Sequence, residues 1–199
     1  MKVMNEKEAE DFLEKKGFKV NKRGFATNLE KAKKIAKEIG YPIVLKNIKL
    51  LHKSDKGGVK LNIQEDNIEA AFKELKSNEV LVHKQGVGKE FLLGIKKDPI
   101  FGQVVLFGIG GIYTEMLKDV SIRVTPIDKK EAEKMIDEIK YKEYYEARGL
   151  KVNKLLLIQN ILKLSDLAVK NKNIQELDIN PLMVDDKNAI VADARIILE

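Results

Sequence analysis

The sequence predicts an α+β fold, and three observations predict it. Strand-like and helix-like segments are interspersed without the steady strand–helix–strand alternation of a doubly wound parallel sheet. The C-terminal stretch reads as a hairpin. Its strands, 174–184 and 188–196, are aliphatic and β-branched and flank the polar turn Asp185-Asp186-Lys187-Asn188. Finally, 199 residues with 44% hydrophobic content suffice for one large domain or two small lobes around a real core.

Taken in order, residues 5–16 form an amphipathic helix with Ala9, Phe12 and Leu13 on one face. Met1-Lys2-Val3 opens into this charged helix rather than into a signal peptide. Asn28 can cap a second helix, 29–39, which stops at Gly40. Tyr41-Pro42-Ile43-Val44-Leu45-Lys46 is a short buried strand ending in lysine, and Gly57-Gly58 lead into a strand through Ile63. Helix 66–77 and strand 79–85 follow. Strands 89–97 and 103–107 precede the loop Gly108-Ile109-Gly110-Gly111, which leads into Ile112-Tyr113-Thr114-Glu115. Strand 119–125, helices 129–139 and 153–170 and the hairpin complete the chain, and no internal repeat is visible.

Composition narrows the function classes. No apolar run approaches the length that spans a bilayer, and cysteine is absent, which removes disulfide and thiolate chemistry. Together these predict a cytoplasmic protein without a membrane partner. The formal charge is +6, from 37 basic and 31 acidic residues. Lysine is scattered among glutamates and aromatics are 6%, so the charge fits solvated faces plus an anionic small-molecule site better than nucleic acid. The Lys/Glu/Ile-heavy composition fits a heat-adapted source.

Several residues carry candidate chemistry. Strand alternation puts Asp178 and Asn180 on one face, and Asp193 on the partner strand can come level with them. Two or three oxygen ligands on a rigid hairpin suit a magnesium ion that holds a nucleotide's phosphates; solvated polars beside a turn are the plainer alternative. Lys46 ends an otherwise apolar strand, an expensive place for an ammonium unless it meets an anion, although a snorkelling lysine is equally common. Nearby, His52-Lys53-Ser54-Asp55-Lys56-Gly57-Gly58 combines lysines with glycines whose N–H groups can converge on a phosphate. It is not a Walker loop. His52 on that loop can relay a phosphoryl group, because its nitrogen is nucleophilic at neutral pH. His83 ends a strand and offers backbone contacts rather than chemistry. Glu90 suits a ribose hydroxyl, or pairs with Lys89 or another lysine.

Read together, these motifs resemble one family. Tyr41 to Lys46, His52 to Val59, Asp98-Pro99-Ile100-Phe101-Gly102, Phe107 to Tyr113, Glu115 to Ser121, Glu176 to Leu182 and Val191 to Ile196 occur in that family's order. The chain resembles, over residues 5–199, the ATP-grasp domain or β subunit of NDP-forming acyl-CoA synthetases, typified by the ADP-forming acetate–CoA ligase. The resemblance implies an ATP-grasp fold, with a small lobe near 1–78, a larger lobe near 79–199 and nucleotide in the cleft between them. It implies the reversible reaction acyl-CoA + ADP + phosphate ⇌ acid + CoA + ATP, shared with a CoA-binding α subunit that carries a phosphohistidine. By motif match Lys46 holds the nucleotide phosphates and Gly57 and Gly58 form a glycine loop over them. Val82, His83 and Lys84 line the adenine edge, with Glu90 near the ribose. Asn180 and Asp193 ligate Mg2+, Asp178 orients the incoming phosphohistidine, and His52 is a second phosphoryl carrier.

The chain departs from the family pattern in three places. The family's first helix is missing, the segment between Lys46 and His52 is about two residues short, and a deletion falls between 66–77 and 79–85. These trims spare the matched ligands but bear on stability in isolation and on partner docking. Two alternatives stand beside the enzyme reading: a non-catalytic nucleotide-sensing or regulatory subunit of the same fold, and a nucleic-acid binder using the +6 charge.

Overall fold

A computed structural model describes residues 1–49, 57–111, 119–141 and 151–199. The loop with His52 and Lys53 to Lys56 lies outside the described residues, as does Ile112-Tyr113-Thr114-Glu115. In chain order the elements are β1 (Lys2–Met4), α1 (Glu6–Lys15), β2 (Arg23–Ala26), α2 (Leu29–Ile39), β3 (Ile43–Asn47), β4 (Val59–Ile63), α3 (Ile68–Glu74) and β5 (Val80–Lys84). They continue with β6 (Lys89–Asp98), β7 (Gly102–Ile109), β8 (Val120–Val124), α4 (Lys129–Asp137), α5 (Lys154–Lys170), β9 (Ile174–Val184), β10 (Ala189–Val191) and β11 (Ala194–Leu198). Mixed helices and antiparallel sheets make this the expected α+β class.

The chain divides into two units: Asn21–Gly86, and Met1–Val20 together with Val87–Glu199. These bounds differ at both ends from the 1–78 and 79–199 lobes, and strand pairing is the reason. β5 is an inner strand of the smaller sheet, ordered β2-β5-β3-β4, whereas β1 pairs with β11 in the larger sheet.

In the smaller unit, α2 starts where the Asn28 side chain accepts the Lys31 N–H at 2.8 Å. It ends at Gly40, whose φ of 85° is a positive value that glycine adopts without penalty. Ala32 and Ala36 of α2 and Ile68, Ala71 and Phe72 of α3 bury one face of the sheet through Ala26, Ile43, Leu45, Ile63, Val80 and Val82.

In the larger unit the sheet order is β1-β11-β9-β6-β7-β8, with β10 alongside β9. Its core joins Phe91, Leu93, Ile95, Val105 and Phe107 to Leu157, Ile161 and Leu164 of α5, Met135 of α4, and Ala9 and Leu13 of α1. The Phe91 and Phe107 rings stack at 5.8 Å between centroids. A capping box fixes the start of α1, the Asn5 and Glu8 side chains each accepting the other's backbone N–H.

Three local expectations change. The second hairpin strand, read as continuous over 188–196, is two strands, β10 and β11, separated by Ala192 and Asp193. Opposite the gap is Pro181, which has no N–H to give the ladder. There Pro181 O accepts from Ala192 N at 3.0 Å, and Asn180 N donates to Asp193 O at 3.2 Å. Residues 2–4, read as leading into a helix, are an edge strand against Ile196–Leu198. Residues 23–26, for which the sequence predicts no element, form β2 and pair with β5.

Candidate active site

In the smaller unit, strand alternation sends Ile43 and Leu45 toward the helices and Val44 and Lys46 to the opposite face. Lys46 lies directly across from Leu81 on β5 and from Val59 on β4. Its next residue, Asn47, donates its N–H to Gly58 O at 2.8 Å, so the Gly57-Gly58 step lies beside Lys46. Gly57 has φ 66°, a left-handed turn at the strand entry. Lys46 is 6% exposed and His83 1% exposed. His83 is on the Lys46 face, directly across from Val44 and Arg23.

The other two strand residues expected with His83 are placed differently. Val82 points into the helix-covered core, so only its backbone is available to a ligand. The Lys84 ammonium donates to Gly40 O at 3.0 Å and Tyr41 O at 2.6 Å, tying the end of β5 to the turn after α2. Its side chain therefore has a structural post.

In the larger unit, β9 sends Leu177, Ile179 and Leu182 into the core and Asp178 and Asn180 to the other face. Asp178 is flanked across the ladder by Gly94 of β6 and Arg195 of β11. Glycine at 94 leaves one flank without a side chain. The Asp178 carboxyl is pushed up to about 6, first by burial, then by Asp193 and Glu176, with Arg195 pulling it down. Asn180 Oδ1 accepts the Gly111 N–H at 2.8 Å, and Gly110 N donates to Glu90 O at 2.9 Å. The Glu90 carboxylate lies against the α-carbon of Gly111, where a β-carbon would overlap it. Burial holds that carboxyl above its ordinary range.

Asn180, Asp193, Asp178 and Glu90 thus belong to one unit, and all but Asp178 meet through backbone or side-chain contacts with 110–111 or with each other. The sequence displayed Gly110-Gly111 as a loop, but nothing in it named Asn180 and Glu90 as the groups against that loop. This donor set fits a hard cation. Asp193 offers a carboxylate and Asn180 an amide oxygen with a second lone pair, while Asp178 near them has a carboxyl raised partly by its acidic neighbours. A divalent ion relieves such repulsion.

The shifted carboxyl gives a testable pH dependence. An unfolded Asp titrates near 3.9, whereas Asp178 in the folded chain titrates near 6. Between those values the folded chain binds the extra proton, so the contribution of Asp178 to stability is greatest below about pH 4 and falls as pH rises to about 6. The penalty above that window is at most about 3 kcal/mol. Asp178→Asn is expected to flatten this slope and raise the melting temperature at pH 7.5. Identical slopes for both proteins between pH 4 and 6 would contradict the shift.

A family model described as an ATP-grasp domain matches residues 1–198. This chain belongs to the ATP-grasp family. The ATP-grasp chain is 42% identical to the acetate–CoA ligase [ADP-forming] I subunit beta of Pyrococcus furiosus, covering 97% of this chain and 90% of that one. It is 42% identical to the acetate–CoA ligase [ADP-forming] I of Archaeoglobus fulgidus, spanning 94% of itself but about 30% of that longer protein. Among solved structures it superposes on an acetyl-coenzyme A synthetase 1 of Candidatus Korarchaeum cryptofilum, in complex with coenzyme A and Ca-AMPCP. The TM-score there is 0.92 at 35% identity, over 100% of this chain and 94% of the other. A second structure of that synthetase holds coenzyme A and Mg-AMPPCP, with a phosphohistidine segment pointing towards the nucleotide-binding site; the TM-score is 0.87 at 36% identity, over 100% of this chain and 93% of that one. No helix among the described residues of the ATP-grasp chain is long and apolar enough to cross a membrane.

Proposed function

We propose that this chain is the nucleotide-binding β component of an ADP-forming acyl-CoA synthetase, working with a CoA-binding α partner in the cytoplasm. It takes a phosphoryl group from a phosphohistidine of the α component and passes it to ADP, reversibly. The observation that carries the reading is that Asp178 and Asn180 share one face of β9 while Asp193 is tied to Asn180 by a backbone bond. The near-complete coverage of separate β subunits supports the same assignment.

In this reading Lys46 meets the phosphates beside the Gly57-Gly58 backbone, and the strand backbone at Val82 with His83 and Lys84 borders the base. Glu90 accepts from the ribose. Asn180 and Asp193 hold Mg2+, which neutralises phosphate charge in the in-line transfer. Asp178 hydrogen-bonds the far nitrogen of the partner's histidine, and His52 accepts the phosphoryl group in turn. Each of these groups positions or neutralises, which is where phosphoryl-transfer catalysis resides.

The direct test of nucleotide binding is a titration of ADP against Lys46→Met. The variant keeps the apolar stem and removes the charge. Affinity for ADP is expected to fall roughly ten- to a hundredfold, the scale of a charge-assisted hydrogen bond worth about 1.5–3 kcal/mol. Adenosine, which has no phosphate, is expected to bind both proteins alike. Unchanged ADP affinity in calorimetry would remove Lys46 from the site.

A further inference from the structure

We propose that Gly111 is a positioning residue for the cation site: its backbone N–H fixes which end of the Asn180 amide the cation meets. The proposal rests on the assignment of Asn180 and Asp193 as cation ligands.

An asparagine's terminal torsion is broad and nearly twofold, so its oxygen and nitrogen exchange places unless a neighbour discriminates between them. A cation tolerates only the oxygen. Gly111 N–H lies 2.8 Å from Asn180 Oδ1, and an N–H donor can be answered only by oxygen. One lone pair is thereby held, and the other is presented in a fixed direction.

The donor is itself braced. Gly110 N–H bonds Glu90 O at 2.9 Å, and a β-carbon at Gly110 would run into the Phe91 backbone. Gly111 has φ 69°, and a side chain there would overlap the Glu90 carboxylate. Two glycines therefore let the turn slip between β6 and Asn180 of β9. Support of a ligand by a group that never touches the ion is a recurrent requirement of metal sites.

Asn180→Asp separates positioning from general structure. A carboxylate has two equivalent oxygens, so a cation meets oxygen whichever way it turns, and a fixed orientation ceases to matter. The readout is the ratio of ADP dissociation constants in EDTA and in magnesium, measured by calorimetry. Any effect of a displaced Glu90 on the nucleotide itself cancels in this ratio. Asn180→Ala and Gly111→Ala are each expected to lower the ratio at least tenfold, and the double variant to go no lower. In the Asn180→Asp background, Gly111→Ala is expected to leave the ratio unchanged.

Loss of the ratio in both backgrounds would make Gly111 a structural residue and overturn the proposal. So would a normal ratio in Gly111→Ala when Asn180→Ala has lost it, with the ligand assignment left standing. A wild-type protein that binds ADP equally in EDTA and magnesium would overturn the ligand assignment and the proposal together. If Gly111→Ala does not fold, amide exchange decides. Asn180→Ala is expected to deprotect the Gly111 amide and spare that of Gly110, and equal protection at Gly111 in both proteins would overturn the proposal.

Discussion

Asp193→Ala is expected to lose the whole magnesium-dependent part of its stabilisation by ADP. Asp193 follows the gap between β10 and β11, and its carbonyl, not its carboxylate, makes the bond to Asn180 N. Magnesium is bound by few protein oxygens and by substrate phosphates, so removing the one carboxylate assigned to the ion leaves an amide alone. A ligand at a hundred times its dissociation constant stabilises by about 2.7 kcal/mol, which for a chain of this size is roughly 5–10 °C in Tm. That increment is expected for the parent with Mg·ADP, and the part of it that needs magnesium is expected to vanish in Asp193→Ala. Without nucleotide, the variant is expected to show a smaller upward shift at Asp178, since Asp193 is one of the charges that raise its pKa. A full Mg·ADP shift in the variant would take Asp193 out of the site.

Asp178→Ala is expected to spare Mg·ADP binding and to lower phosphoryl exchange with the α component by about ten-thousandfold. Its carboxyl is directly opposite a glycine on one side and Arg195 on the other, so the face of β9 is open toward Gly94. A carboxylate repels a phosphoryl group, yet it can accept the N–H of an imidazole whose other nitrogen carries one. The magnitude is that of removing a group which orients a catalytic histidine. His52→Ala is expected to behave alike in the same assay, with ATP binding retained. Exchange is followed as label passing between ATP and acid-labile, base-stable phosphoprotein. Parent rates in Asp178→Ala would leave β9 with a cation role only, and parent rates in His52→Ala would reduce that residue to a loop position.

The fold was legible where sequence pattern and local geometry agree. The caps at Asn28 and Gly40 fixed α2 to the residue, and the Asp185–Asn188 turn with its flanking aliphatics fixed the β9–β10 connection. β1 was not legible, because three residues are too few to display a period. β2 was not either, because Arg23-Gly24-Phe25-Ala26 carries a glycine and no clear alternation. The break between β10 and β11 depends on which carbonyls face Pro181, and only the pairing register decides that.

The candidate site divides in the same way. Asp178 and Asn180 were placed on one face by strand period alone, and Asp193 came level through a backbone bond. The family resemblance put Val82, His83 and Lys84 together along the adenine edge. Adjacency in a strand means opposite faces, and Val82 is in the helix-covered core. Lys84 belongs to that set by motif match, and the Gly40 and Tyr41 carbonyls that hold its ammonium could not be read from the sequence. Likewise the turn at Gly110-Gly111 was visible and its bond to Asn180, 69 residues away, was not.

The central claim is that this chain moves a phosphoryl group between ADP and a partner's histidine. The measurement that tests it most directly incubates γ-labelled ATP and magnesium with a CoA-binding α component, with and without this chain. Label is expected on the α component, acid-labile and base-stable, only when this chain is present, and it is expected to return to ATP when ADP is added. An α component that stays unlabelled, while the chain demonstrably binds Mg·ATP and the α component, would contradict the account and make the chain a nucleotide sensor.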